Sequence, residues 1–209
     1  MNLHSLPDWL RKKLRQSKSP LDYIRVQSHV SSLLGPQYKR SRTKLEIDLT
    51  WSCNLFCFNC NRSCAQVPTG ERMELEQIHH FIEESKTSLH HWDVIRVLGG
   101  EPTLHPEFLK IINLLLSWRD RYHPRTQIQV VSNGYGKKVQ EILAKIPAGV
   151  YVKNTLKTSQ AQPFKSFNIA PIDLPEYANA DYTNGCQIAA CAGTGLTPYG
   201  WYPCPIAGG

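Results

Sequence analysis

The sequence lacks the features that would place the protein in a membrane, outside the cell or among repeat proteins. No apolar run approaches the roughly 20 residues needed to cross a bilayer. The N-terminus has no uninterrupted apolar stretch of the kind that a secretory signal carries. We see no repeat other than a strand–helix unit and no low-complexity segment. These absences predict a cytoplasmic protein with no membrane span.

Acidic residues are also scarce relative to basic ones, at 17 Asp and Glu against 24 Lys and Arg, which gives a net charge of +7. Ten of the basic residues fall within the first 44 positions. This concentration fits a solvated helix face, and the alternative is a docking surface for an acidic peptide, a phosphate or a nucleic acid. We expect a peptide or an anionic small molecule as substrate, and we do not expect nucleic acid.

No cysteine occurs between positions 64 and 186. Four of the seven cysteines lie within twelve residues, and the other three lie near the C-terminus. In a chain without a secretory signal, such clustering favours metal binding over a disulfide framework, and an odd number does not allow complete pairing. The seven positions are Cys53, Cys57, Cys60, Cys64, Cys186, Cys191 and Cys204.

The middle of the chain alternates between strand-like and helix-like patterns of apolar residues. Strand patterns cover 45–51, 94–98, 128–131 and 150–152, and helix patterns cover 74–88, a segment that begins at Pro106, and 139–146. Such alternation implies parallel βαβ units with right-handed crossovers. We therefore predict an α/β fold, a partial (β/α) barrel of about five or six parallel strands, with 167–169 as a fifth strand.

The regions on either side of this barrel have different patterns. Two helical segments precede it, one at 6–17 and a second that Ser19 can cap and Gly35 ends. Residues 171–209 are rich in Pro, Gly and Tyr. We predict three regions: an N-terminal helical appendage at 1–43, the barrel core at 44–170, and a short cysteine-containing extension at 171–209.

Unusual segments follow three successive strands of the predicted barrel. The first cysteine cluster follows strand one, Gly-Gly-Glu-Pro at 99–102 ends strand two, and Ser-Asn-Gly at 132–134 ends strand three. In parallel barrels the functional groups collect where the strands end, so these three segments should meet at one mouth. Taken alone, either glycine-containing segment is typical of a simple turn.

Three cysteines of the first cluster, Cys53, Cys57 and Cys60, place their thiolates in one tight loop. Thiolates suit both Zn²⁺ and iron–sulfur clusters. With Cys64 they could form a closed, structural zinc site. Three ligands on a four-iron cube would instead leave one iron free to bind another molecule.

The C-x3-C-x2-C spacing after a first strand, together with Gly-Gly-Glu-Pro after the second, resembles the radical S-adenosylmethionine superfamily. The resemblance covers residues 44–156 and, more weakly, 186–205. It implies a [4Fe–4S] cluster on Cys53, Cys57 and Cys60, with S-adenosylmethionine on the open iron. An electron from a donor such as flavodoxin or ferredoxin would then produce a 5′-deoxyadenosyl radical for hydrogen abstraction.

The resemblance also implies which residues contact S-adenosylmethionine. Glu101 would accept hydrogen bonds from its ammonium group, and Gly99 and Gly100 would let the backbone approach it closely. The full set of implied contacts is Gly99, Gly100, Glu101, Pro102, Ser132, Asn133 and Asn154, with Lys153 as a weaker candidate. The superfamily usually has an aromatic residue immediately before the third cysteine, whereas this chain has Asn59 there.

The last cysteines flank a predicted hairpin with a turn at 198–200. This segment resembles the opening of the SPASM or twitch extension, which implies an auxiliary iron–sulfur cluster on Cys186, Cys191 and Cys204. A zinc or remnant site and free thiols are the alternatives. Because the chain stops five residues after Cys204, we expect a shortened version of a longer form.

The function that these patterns predict is reductive cleavage of S-adenosylmethionine by a radical enzyme. The alternatives are an activating enzyme that installs a glycyl radical on a partner protein, and a non-catalytic zinc or iron–sulfur protein.

Overall fold

The structure is a computed structural model that describes residues 20–58, 60–67, 70–88, 90–161, 178–181 and 185–206. Several predicted features lie outside the described residues: the helix at 6–17, the cap at Ser19, the strand at 167–169 and the position of Asn59. The chain divides into two compact units, one of Met1–Lys39 and Phe167–Cys186, the other of Arg40–Ser166 and Gln187–Gly209. The three regions predicted from the sequence stay a prediction.

The first unit contains two short helices where the sequence predicted a single one. Helix α1 covers Pro20–Arg25 and helix α2 covers Ser28–Leu34. The break occurs because backbone groups between them bond elsewhere: Asp181 N donates to Val26 O at 2.8 Å, and Ser28 N donates to Asn179 O at 3.0 Å. Gly35, with φ of 74°, ends α2 as the sequence predicted.

The second unit contains the alternating strands and helices. In chain order they are β1 Lys44–Asp48, α3 Leu75–Thr87, β2 Val94–Leu98, a 3₁₀ turn Pro102–Leu104, α4 Phe108–Tyr122, β3 Gln127–Ser132, α5 Lys137–Leu143, β4 Val150–Asn154, α6 Gln187–Ala192, β5 Thr194–Thr197 and β6 Gly200–Tyr202. They form one open six-stranded sheet in the order β4-β3-β2-β1-β5-β6. All neighbouring strands are parallel except β5 and β6. The predicted α/β partial barrel is confirmed.

The predicted C-terminal hairpin is confirmed as β5 and β6, and it belongs to the main sheet. Strand β5 pairs in parallel with β1, with Leu45 opposite Thr194 and Ile47 opposite Leu196. The sixth strand is therefore antiparallel, and the sheet reaches six strands through the C-terminal residues.

The sheet has one apolar and one polar face. Side chains of β1, β2 and β3 on the first face are buried against α3 and α4, and each such burial contributes about 1.5–3 kcal/mol. These residues are Leu45, Ile47, Ile95, Val97, Ile128 and Val130, all 0% exposed, with Ile78, Ile111, Ile112 and Leu115 on the helices. On the opposite face, Glu46 lies beside Arg96, which lies beside Gln129.

Among the described residues, no helix is long and apolar enough to cross a membrane.

Candidate metal and cofactor site

The segment 53–64, here called the cysteine loop, follows β1 at the carboxyl end of the sheet. Its four cysteines, Cys53, Cys57, Cys60 and Cys64, are all free thiols and all partly buried. Phe56 and Phe58, between the first three cysteines, are 66% and 69% exposed.

A buried arginine holds the cysteine loop against β1. Arg62 is 2% exposed, and its Nε donates to Asp48 Oδ1 at 2.9 Å while its Nη2 donates to Glu46 Oε2 at 2.5 Å. Arg96 of β2 donates to the other oxygen of Glu46 at 2.9 Å. Two buried carboxylates and two arginines therefore form a network of zero net charge on the polar face of the sheet.

Burial affects Asp48 more than the nearby arginine does. Desolvation raises the pKa of Asp48 to about 6, although the charge of Arg62 and its hydrogen bond act to lower it. Asp48 Oδ2 has no hydrogen-bond partner within the described part of the chain.

Gly99 and Gly100 bring the end of β2 against the backbone just before the cysteine loop. Gly100 N donates to Thr50 O at 2.6 Å, and Glu101 N donates to Ser52 O at 2.9 Å. A Cβ on either glycine would collide with the carbonyl oxygen of Thr50 or Ser52. The chain itself thus needs both glycines, and their predicted approach to S-adenosylmethionine stays a prediction.

Glu101 joins the ends of β2 and β3. Its carboxylate is 0% exposed and accepts hydrogen bonds from Asn133 N at 2.8 Å and from Thr103 Oγ1 at 2.7 Å. Ser132 Oγ lies 2.9 and 3.0 Å from its two oxygens, and Thr103 N lies 3.2 Å from one of them. The carboxylate thus has several donors from this chain, and its predicted contact with the ammonium group of S-adenosylmethionine remains a prediction.

The other residues predicted to contact S-adenosylmethionine lie at the same end of the sheet. Pro102 is buried and starts the 3₁₀ turn that follows Glu101. Asn154 pairs with Ser132 across β3 and β4, and its amide fills the space beside Gly134. Lys153 is exposed. The structure therefore brings the ends of three strands and the cysteine loop together, as the sequence predicted.

The donor set of the cysteine loop fits an iron–sulfur cluster. Burial raises the pKa of Cys53 to about 11, and the neighbouring thiols Cys57 and Cys60 also raise it. A hydrogen bond from Cys64 lowers the pKa of Cys60 and raises that of Cys64 itself. Three mutually close soft donors, Cys53, Cys57 and Cys60, are the ligand type that iron–sulfur clusters take.

Among the described residues, no three His, Cys, Asp or Glu side chains are close enough to hold a single ion. A structural zinc site needs four ligands around one ion, whereas each thiolate of a cluster binds a different iron.

Cys191 and Cys204, two of the three C-terminal cysteines, lie away from this mouth. Cys191 is exposed near the end of α6, and Cys204 follows β6. Because β5 starts opposite Leu45, near the beginning of β1, both cysteines flank the hairpin at the amino end of β1. Cys186 belongs to the first compact unit and is exposed. Their role as ligands of an auxiliary cluster stays a prediction.

Sequence reasoning missed two features of the site. The first is the arginine network, for which Glu46 and Asp48 were the available signal, since they alternate with apolar residues in β1. The second is an aromatic stack of Trp51 on Tyr199 of the β5–β6 turn, with ring centroids 5.4 Å apart. Nothing in the local sequence links those two rings.

Comparisons with known proteins point to one superfamily. The GTP 3′,8-cyclase of Streptomyces coelicolor is 28% identical over 163 residues, which cover 77% of this chain and 44% of that protein. The probable GTP 3′,8-cyclase of Pyrococcus horikoshii is 33% identical over 84 residues, covering 40% of this chain and 26% of that protein. The chain thus spans less than half the length of these relatives. No family model matches it.

The fold resembles that of BtrN, whose crystal structure was determined in complex with AdoMet and 2-DOIA. The TM-score is 0.51 at 15% sequence identity, over 80% of this chain and 75% of BtrN. At that identity the likeness concerns the fold, a partial barrel with an open sheet.

Proposed function

Because the chain belongs to the radical S-adenosylmethionine superfamily, we propose that it cleaves S-adenosylmethionine reductively and uses the product radical to abstract hydrogen from a substrate. The observation that carries this proposal is the convergence of the three predicted segments. The backbone that leads into the cysteine loop bonds to Gly100 and Glu101, and Glu101 bonds to Asn133.

Different residues of this chain would hold the iron–sulfur cluster and S-adenosylmethionine. Cys53, Cys57 and Cys60 would ligate a [4Fe–4S] cluster, and bound together, the cluster and S-adenosylmethionine supply one-electron chemistry. The contacts of S-adenosylmethionine would come from Gly99, Gly100, Glu101, Pro102, Ser132, Asn133 and Asn154. Glu101 holds β2 and β3 in register at the mouth, and Arg62 holds the cysteine loop on β1, so the chain arranges the site beforehand.

The test is anaerobic reconstitution followed by three measurements: iron and sulfide content, EPR of the reduced protein, and 5′-deoxyadenosine formed from S-adenosylmethionine. Cys57→Ala should abolish 5′-deoxyadenosine formation. The matched control is Cys64→Ala, which should retain it because Cys64 is not one of the three ligands. A protein that binds only zinc and gives no reduced cluster signal would overturn the proposal.

The substrate that we propose is a peptide or an anionic small molecule. The net charge of +7 and its concentration in the first 44 residues support an acidic partner. The relatives named GTP 3′,8-cyclase carry an anionic small molecule in their name. A substrate should increase the rate of 5′-deoxyadenosine formation, so GTP and acidic peptides can be compared directly, with neutral analogues as controls.

We further propose a one-electron donor of the flavodoxin or ferredoxin type and a cytoplasmic location. Seven free cysteines support a reducing compartment. We also propose an auxiliary cluster on Cys186, Cys191 and Cys204. Substituting Cys204→Ala in the reconstituted protein should then lower the iron content by one cluster and leave the first cluster in place, and unchanged iron would contradict this part.

A further inference from the structure

Two asparagine side chains connect the end of β3 to the cysteine loop. Asn133 follows β3 and Asn54 follows Cys53. Asn133 Nδ2 donates to Asn54 Oδ1 at 2.8 Å, and Asn54 Nδ2 donates to Tyr135 O at 2.7 Å. Tyr135 N in turn donates to Asn133 Oδ1 at 2.7 Å. The three hydrogen bonds close a ring that uses both backbone groups of Tyr135.

The ring determines how the Asn133 amide is oriented. A backbone N–H only donates, so the atom of Asn133 that faces Tyr135 N must be the oxygen. The amide nitrogen then faces the cysteine loop. One of its hydrogens goes to Asn54, and the nitrogen also lies 3.9 Å from Cys53 Sγ, within the longer reach of a hydrogen bond to sulfur.

The backbone of Asn133 is also held in place. Asn133 is only 9% exposed, and its backbone N–H donates to Glu101 Oε2 at 2.8 Å. The neighbouring Ser132 is bound to the same carboxylate. The donor aimed at Cys53 is therefore fixed at both its backbone and its side chain, in a position where water competes little.

We propose that Asn133 is a positioning residue that donates an N–H···S hydrogen bond to the Cys53 thiolate and makes the cluster easier to reduce. Reduction adds negative charge to the cluster and its sulfur ligands, and a nearby N–H dipole stabilises that charge. Asn54 keeps the donor pointed at the sulfur. The inference rests on the proposed function, which makes Cys53 a cluster ligand.

The test is the reduction potential of the reconstituted cluster, followed by EPR in a redox titration without S-adenosylmethionine. Asn133→Leu keeps the size of the side chain and removes the donor. The hydrogen bond is stronger to the more negative reduced cluster, so its loss should lower the ratio of reduced to oxidised cluster at a fixed potential by about tenfold, a midpoint shift of about 59 mV for one electron. Asn113→Leu, on the exposed face of α4, is the control and should not move the midpoint.

Two further variants test the same hydrogen bond if Asn133→Leu does not fold. Asn54→Ala keeps the amide donor of Asn133 but removes the hydrogen bond that orients it. The midpoint potential should therefore fall, but by less than in Asn133→Leu. Asn133→Gln restores an amide and should recover part of the shift. In D2O, the electron spin of the reduced wild-type cluster should couple to an exchangeable deuteron of the Asn133 amide. This coupling should be absent in Asn133→Leu.

If no cluster forms in the wild-type protein, the proposed function fails. If the cluster forms and the midpoints of Asn133→Leu and Asn54→Ala both equal that of the wild type, the proposed function stands and the role of Asn133 is wrong.

Discussion

Two buried carboxylates on neighbouring strands of the same sheet are held in opposite ways. Glu101, after β2, receives hydrogen bonds from Thr103, Ser132 and Asn133, which are all uncharged donors. Asp48, at the end of β1, has a single partner in Arg62 and one oxygen without a partner among the described residues. Glu101 is thus held by uncharged donors at the ends of β2 and β3, whereas Asp48 is held by one charged side chain of the cysteine loop.

The largest effect should come from removing that charge. Arg62→Met leaves Glu46 and Asp48 buried with too little positive charge, and breaking a buried pair in this way costs about 3–5 kcal/mol. We expect the free energy of unfolding of the apoprotein, measured by urea denaturation, to fall by that amount. Arg125→Met, at an exposed position, should change it by less than about 0.5 kcal/mol. Equal losses in the two variants would show that the network does not stabilise the fold.

The second largest effect should be the pH dependence that Asp48 gives to the free energy of unfolding. Its folded pKa of about 6 exceeds the ordinary value of 3.8, so the folded state binds the proton more tightly than the unfolded state. Its contribution to stability is therefore present at low pH and is lost as the pH rises from about 4 to about 6. The change is on the order of 3 kcal/mol.

Asp48→Asn isolates this titration, because the amide cannot ionise. The free energy of unfolding of the variant, minus that of the wild type, should increase as the pH rises through that window. The charged and titratable groups that face Asp48 are Arg62, Glu46 and the thiol of Cys64, and all three are retained in the variant. A flat difference for Asp48→Asn would place its pKa near the ordinary value.

Much of this arrangement could be predicted from the sequence because the signals are periodic and local. The apolar run of β2 predicted where that strand ends, and the positions of Gly99 and Glu101 after it followed directly. The alternation placed the end of the first strand at residue 51, whereas β1 ends at Asp48. Parallel strands place their carboxyl ends together, so convergence of the three segments required no knowledge of individual contacts.

The remainder depends on contacts between residues that no local pattern connects. Arg62 lies in an irregular loop, and nothing in its surroundings indicates that it reaches Glu46 and Asp48. The pairing of β5 with β1 joins residues about 150 positions apart, since Leu45 lies opposite Thr194. The break between α1 and α2 likewise comes from hydrogen bonds to residues 179 and 181.

Removing the charge of Glu101 should have a moderate effect. Glu101→Gln keeps the shape but turns one oxygen into an amide that faces donors from Thr103, Ser132 or Asn133. A hydrogen bond to a charged group contributes about 1.5–3 kcal/mol, so we expect a loss in that range by urea denaturation. Glu141→Gln, on exposed α5 beside Lys137, should cost less than about 1 kcal/mol. A loss for Glu101→Gln as large as that for Arg62→Met would remove the distinction between the two carboxylates.

The smallest effect should come from the aromatic contact between Trp51, just before the cysteine loop, and the hairpin turn. Trp51 is 2% exposed, but Tyr199, which stacks on it, is 62% exposed. An aromatic pair contributes about 0.5–1.5 kcal/mol beyond its buried area, and solvent on one face of Tyr199 places this pair at the low end. Tyr199→Leu should therefore cost less than Glu101→Gln. Tyr151→Leu, at a position that is 54% exposed, is the control.

A double-mutant cycle with Trp51→Leu measures the pair itself. A coupling energy above that of Arg62 with Asp48 would mean that the hairpin, and not the charge network, fixes this part of the chain. We expect the reverse order, because Arg62 bonds to β1 from a position that water does not reach. The cysteine loop should then remain bound to β1 when the contact between Trp51 and Tyr199 is removed.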